Sequence, residues 1–153
     1  MNDLEIRDVL KNLSIFYGVF SSDNLPLIPN GKAIVVNTKC LCNKRGGHWL
    51  GIFKNNNGIT TFFDSYGLPP KFYNLEKYLG NCIYDTRCIQ SFTSLVCGAY
   101  VVTFILAQSV GISIEDYKNS FTVDRLYNDI FIRNFMLKHF NIDVPLFNGK
   151  KWW

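Results

Sequence analysis

Apolar side chains recur at Leu4, Ile6, Val9, Leu10 and Leu13, a spacing that predicts a short helix over 3–13 with Asp3 as its cap. Residues 16–31 hold two prolines and two glycines among aromatics, and read as an irregular connection that packs through its rings. Lys32-Ala33-Ile34-Val35-Val36-Asn37 is a short, mostly buried strand. Two β-type runs, 48–53 and 59–63, flank Asn55-Asn56-Asn57-Gly58 and predict a hairpin. After Pro69-Pro70, residues 71–79 predict a helix closed by Gly80, and 81–89 read as a further strand. The run from Cys97 to Gln108 is apolar on nearly every face and too long for a usual strand, which favours a buried helix despite its β-branched content. A last helix is expected over 122–138, with Asp124 near its start and Leu126, Ile130, Phe131, Phe135 and Leu137 among its apolar positions. These elements predict an α+β fold: a single domain, 1–153, with a small mixed or antiparallel sheet packed around a central buried helix.

Composition narrows the class. With 153 residues, 48% hydrophobic and 18% charged, the chain carries enough apolar surface for one core and is not a disordered sequence. No apolar run approaches about 18 residues, so no membrane span is expected. The opening Met1-Asn2-Asp3-Leu4-Glu5 lacks a basic region leading into an apolar stretch, so no secretory signal is expected either. The five cysteines (Cys40, Cys42, Cys82, Cys88 and Cys97) then read as free thiols of an intracellular protein.

The net charge of +4 is modest, but no acidic residue lies between Asp23 and Asp64. Lys32, Lys39, Lys44, Arg45 and Lys54 fall in that interval and are candidate contacts to DNA phosphates. A solvated sheet edge accounts for the same residues. No zinc-finger spacing or RNA-binding signature is present, so such binding would be independent of base sequence and sensitive to salt.

Four side chains form a candidate catalytic set. His48 opens one strand of the hairpin and Asp64 follows the other, which can set a carboxylate beside an imidazole and orient it. Cys97 begins the apolar helix, where unsatisfied backbone N–H groups and the positive end of the dipole favour a thiolate. Gln90, seven residues earlier, can offer a carboxamide to a developing oxyanion beside the Cys97 N–H. Each also has a structural reading: Cys97 as core, His48 beside Trp49 as a satisfied structural residue, Asp64 as a turn aspartate. Trp49 suits either a core position or a cover over the catalytic face. His139, near the end of the last helix, needs only a charge–dipole role.

Gly46-Gly47-His48-Trp49, Phe62-Phe63-Asp64-Ser65-Tyr66-Gly67, Gln90 and Ser94-Leu95-Val96-Cys97-Gly98 resemble the adenovirus-type processing cysteine protease, in the wider group that includes the ubiquitin-like-protein proteases. The order His, acid, Gln, Cys is that group's order and the reverse of papain's. The resemblance takes in residues 16–20 and 32–38 as well, and spans roughly 5–108. It implies that group's cysteine proteinase fold, with His48 as catalytic histidine, Asp64 as its acidic partner, Gln90 as oxyanion glutamine and Cys97 as nucleophile. The adenoviral acid is commonly glutamate; aspartate, as here, is that of the ubiquitin-like-protein proteases.

The resemblance further implies a monomeric, metal-free endopeptidase that matures viral precursor proteins, cutting after small residues such as glycine, in the virion and the host cell interior, including the nucleus. It also implies stimulation by viral DNA and by a short viral peptide that forms a disulfide, for which Cys82 is the nearer match and Cys88 the other candidate. This chain is shorter than those enzymes. Three alternatives stay open: a protease of ubiquitin-like modifiers; a zinc site from Cys40 and Cys42 with His48 and Cys82 or Cys88, although Cys-x-Cys lacks the usual two to four intervening residues; and a non-enzymatic DNA-binding module.

Overall fold

Both faces of one twisted sheet are covered, and that sets the plan of the chain. The computed structural model describes residues 1–39 and 47–147. Cys40, Cys42, Lys44, Arg45, Gly46 and the 148–153 tail lie outside the described residues. The strands are β1 (Phe16–Ser21), β2 (Lys32–Asn37), β3 (Trp49–Lys54), β4 (Thr60–Phe63) and β5 (Cys82–Ile83), in spatial order β1-β2-β3-β4-β5. β2, β3 and β4 are antiparallel neighbours, while β1 runs parallel to β2 and β5 parallel to β4. The chain is α+β with a five-stranded mixed sheet, as the patterning suggested.

The alternation along β2 explains why it reads as continuously apolar. Ala33 and Val35 face the main core, whereas Ile34 and Val36 face a second cluster with Leu50, Ile52, Phe62 and Leu75. Helix α3 (Cys97–Ser109) lies on the main-core face, and every residue from Gly98 to Ile105 is buried. Its lack of amphipathicity follows, because sheet, N-terminal helix and C-terminal helices surround it. Close approach to β3 needs Gly51: a side chain there would meet the Phe104 ring at 2.8 Å.

Several sequence expectations are corrected. Helix α1 spans Asp3–Leu10 and is capped by Asn2, not Asp3; Asn2 and Glu5 exchange hydrogen bonds in a capping box. The 16–31 segment is irregular only after Ser21, because the apolar 16–21 stretch pairs with β2 as an edge strand. The 71–79 helix is split into a 3₁₀ turn (Pro70–Tyr73) and a short α2 (Glu76–Leu79), since Asn74 adopts a left-handed conformation (φ 57°). Of 81–89, only Cys82–Ile83 pairs with the sheet; the rest is held by main-chain and side-chain hydrogen bonds from its neighbours. A helix absent from the pattern, α4 (Ile114–Asn119), starts at a Ser113 cap.

The last helix, α5, spans Arg125–Phe140 with Asp124 as cap. Its buried positions are Asn128, Asp129, Ile132 and Met136; Leu126, Ile130, Phe131 and Leu137 are exposed, and Phe135 is partly buried. Two polar residues take the core-facing side because they fasten the loop that precedes α3. Asn128 donates to the Ile89 carbonyl at 3.1 Å, and Asp129 accepts from Ser91 N–H at 3.2 Å and Tyr100 O–H at 2.9 Å.

Candidate active site

The β3–β4 ladder ends at the pair Gly51–Phe63, so the residues just outside it, His48 on one side and Asp64 on the other, come together at the sheet's rim. His48 Nε2–H donates to Asp64 Oδ1 at 2.6 Å. The carboxylate is almost fully buried and fully engaged. Oδ1 also accepts from Tyr66 N–H (3.0 Å), while Oδ2 accepts from Leu68 N–H (2.9 Å) and Tyr73 O–H (2.9 Å). Burial opposes its charge, but the His48 hydrogen bond and these donors outweigh it, holding Asp64 below the ordinary carboxylate value. The turn that presents Asp64 closes at Gly67 (φ 74°), whose missing side chain lets the Thr86–Arg87 backbone pass against it.

The imidazole also hydrogen-bonds Cys97. Burial pulls the His48 pKa down, but the hydrogen bonds to Asp64 and Cys97 reverse this and raise it to about 9. Burial likewise opposes the thiolate, yet the hydrogen bond and charge of His48, with Trp49 N–H donating to the sulfur, leave the Cys97 thiol below its usual value. The two shifts are opposite in sign, and each favours the charged form of its own group beside the other. Cys97 is the first residue of α3, at the end of the helix where the dipole is positive.

Aromatic rings fix the imidazole in its plane. Tyr66 stacks on His48 with centroids 4.6 Å apart, Tyr73 lies beyond at 6.1 Å, and Phe92 stacks on the outer side of Tyr66 at 5.5 Å. His48, Cys97, Trp49 and Tyr66 line a cleft of about 630 Å³, with Phe72 and Leu95 on its walls. Trp49 holds the core position considered for it. It is a member of the main core and borders the cleft, with its indole N–H on the Met1 carbonyl at 3.1 Å.

Gln90 stands differently from the other three. Its Nε2 donates to the Ser94 carbonyl and the Ser94 hydroxyl, both at 3.1 Å, and its Oε1 accepts from Ser65 O–H at 2.6 Å. A carbonyl only accepts, so the Ser94 carbonyl fixes which end of the amide faces it. Gln90 is fully buried beneath the 91–96 loop, and both amide hydrogens are engaged. Here it braces the loop that leads to Cys97; donation to an oxyanion requires it to release Ser94.

The candidate DNA contacts divide. Lys32 and Lys54 are cross-strand partners at one end of β2 and β3, with Lys32 Nζ on the Ser14 carbonyl at 2.6 Å. Lys39 follows the opposite end of β2, roughly 20 Å away for a six-residue strand. Cys82 lies on β5 and Cys88 donates to the Gln90 carbonyl at 3.3 Å; with Cys97 they are free thiols, and burial pushes Cys82 and Cys88 upward. Among the described residues no group of three or more His, Cys, Asp or Glu is arranged to hold a metal ion, and no helix is long and apolar enough to cross a membrane. His139 lies against Phe135 with the rings tilted by 37°, in the last turn of α5.

No protein-family model matches this sequence, and a comparison with curated proteins finds no match. The site therefore rests on its own geometry. Sequence reasoning missed Tyr73, Lys118, Asn128 and Asp129, and gave Ser65 no role beyond its place in a quoted motif. Tyr66 stood within a quoted motif, but nothing in its spacing marked it as a lid on the imidazole. Tyr73 reaches Asp64 only through the 3₁₀ turn, which periodicity does not reveal.

Proposed function

We propose that this chain is a cysteine endopeptidase. The observation that carries the reading is His48 bridging a buried, four-fold hydrogen-bonded Asp64 and a cysteine at the first turn of a buried helix. In this reading the Cys97 thiolate attacks the scissile carbonyl and forms a C–S bond. The Cys97 N–H at the helix terminus receives the developing oxyanion. Imidazolium His48 gives its proton to the departing amine as the C–N bond breaks, leaving a thioester. His48 then takes a proton from water, hydroxide displaces the sulfur, and the carboxylic acid leaves with the thiolate restored. Asp64 holds the ring by its Nε2–H throughout.

The resemblance in motif order extends the proposal to maturation of viral precursor proteins after small residues, within the assembling particle. Stimulation by DNA or by a disulfide-forming peptide at Cys82 rests on that resemblance alone. Treatment with a peptide vinyl sulfone and mapping of the adduct tests the reading. Labelling confined to Cys97, lost in His48→Ala, together with cleavage of a peptide panel that Cys97→Ala abolishes, is expected. Labelling spread over Cys82 and Cys88, or peptide cleavage by Cys97→Ala, would overturn it.

A further inference from the structure

Lys118 is a lysine with 1% exposure, on α4, outside every element that carries the catalytic set. A buried ammonium is costly unless its donors are met. Its three hydrogens go to three backbone carbonyls: Asp64 at 3.0 Å, Asp85 at 2.7 Å and Arg87 at 2.7 Å. The first belongs to the aspartate that holds His48. The other two lie on the segment that runs from β5 to Gln90, a segment with little sheet pairing of its own. Immediately beyond, the Ser65 carbonyl receives both Ile89 N–H (2.9 Å) and Gln90 N–H (3.2 Å). The lysine therefore joins two non-adjacent stretches of backbone just where the site is built from them.

We propose that Lys118 is a positioning residue of the site: its ammonium fastens the Asp64 main chain to the 85–87 segment, and thereby holds the carboxylate on His48 and, through His48, the thiolate of Cys97. The proposal rests on the protease reading of that site. It explains why a lysine is kept in an apolar setting, 5.6 Å from the centroid of the Phe63 ring, when a methionine of similar length would fill the space. Any direct charge effect on the sulfur is secondary. The groups that act on Cys97 are His48, the Trp49 N–H and the N-terminal ammonium, whereas Lys118 touches the chain two steps away.

The charged and titratable groups facing Lys118 are Asp64 on the turn after β4, and Asp85, Arg87 and Cys88 on the segment after β5. Asp85 Oδ1 lies 3.9 Å from Nζ. Burial pulls the ammonium down to about 8, against the two aspartates. On losing a proton the amine keeps two hydrogens for three carbonyls, so the clamp loosens as pH rises through that value.

The test is Lys118→Met in the full chain. Cys97 alkylation by iodoacetamide, mapped by mass spectrometry, is followed against pH below the melting temperature of the variant. An upward move of about one pH unit in the alkylation midpoint is expected, equivalent to about tenfold slower alkylation on its acid side. A role confined to stability would lower the melting temperature and leave that midpoint in place, and a folded variant with the wild-type midpoint overturns the proposal. If Lys118→Met does not fold, the wild-type protein decides. Lys118 protonation and the His48 Nε2–H resonance are followed by NMR in one pH titration. The His48 proton is expected to shift in a step at the Lys118 midpoint, apart from its own titration; no such step overturns the proposal. Neither readout needs peptide hydrolysis. Absent cleavage with an intact Lys118 effect defeats the protease reading alone, and cleavage with no Lys118 effect defeats this proposal alone.

Discussion

Gln90 donates both hydrogens of its buried carboxamide to Ser94, three residues before the candidate nucleophile. Ser94 in turn donates its hydroxyl to the Ser91 carbonyl at 3.0 Å, and Asp129 takes the Ser91 N–H. The loop entering α3 is thus fastened from below by Gln90 and from the side by α5. A nucleophile at a helix terminus needs such a support, because the position of its sulfur is set by the backbone that enters the helix.

Replacing Gln90 by alanine separates bracing from oxyanion donation. Ser65 O–H and the Ser94 carbonyl would lose their partner inside the protein, at a cost of roughly 1–3 kcal/mol for each buried group left unpaired. We expect a lower melting temperature and less than a tenfold loss of single-turnover cleavage by the folded protein. Loss of an oxyanion donor instead costs about 10²–10³ in turnover. That larger loss with unchanged stability would mean that the amide leaves Ser94 when substrate binds.

The His48–Cys97 pair predicts a bell-shaped pH profile. The thiolate limb rises through the lowered Cys97 value, below the ordinary thiol range, and the imidazolium limb falls as pH rises through about 9. The two groups titrate as a unit, so the limbs belong to the pair. The stability sign follows for His48. Its raised pKa contributes stability fully present below the ordinary value of 6.5 and lost as pH rises through about 9. Steady-state cleavage between pH 5 and 10 checks the profile; a single limb near the ordinary thiol value would remove the ion pair.

Asp64→Asn places an amide where four donors converge. Whichever way it turns, an NH₂ faces either His48 Nε2–H or the Leu68 N–H and Tyr73 O–H pair. We expect a stability loss of about 1–3 kcal/mol and a fall in turnover of about 10²–10⁴, smaller than for Cys97→Ala. The depressed Asp64 pKa contributes stability above the ordinary value of 3.8 that is lost as pH falls through the folded value. Urea unfolding at pH 3 and pH 7 should show a smaller acid-induced loss in the variant than in the wild type. Turnover equal to wild type would take Asp64 out of the mechanism.

How much of this was legible in the sequence depended on the range of the forces involved. The short apolar run of β2, the Asn-Gly turn and the uniformly apolar run of α3 are local signals, and each element stands where the pattern put it. His48 and Asp64 meet because a hairpin's register is itself local. The misses are long-range. β1 is a strand only because β2 offers it an edge, and the 84–90 stretch is held by Lys118 and Ser65 from distant segments. The buried face of α5 was misjudged because Asn128 and Asp129 are polar by sequence and buried by the hydrogen bonds they make. Lys118 sits among Asp116, Tyr117 and Asn119, where a lysine reads as solvated surface.

Gly67→Ala tests the turn that presents the acid. Gly67 has φ 74°, a left-handed conformation that costs an L-residue about 1 kcal/mol or more. An added methyl would also meet the Thr86 carbonyl oxygen and lie 2.8 Å from the carbonyl carbon of Arg87, both backbone and unable to rotate away. The 85–87 segment must then move off the turn, stretching the Lys118 contacts to Asp85 and Arg87 and shifting Asp64 against His48. We expect a loss of roughly 2–4 kcal/mol in stability and a fall in Cys97 thiolate alkylation at neutral pH, while Gly80→Ala, with open space around it, should keep wild-type alkylation despite its own positive φ of 59°. Thermal unfolding and iodoacetamide alkylation of the two variants side by side make the comparison, and equal alkylation rates would show that the turn does not set the position of Asp64.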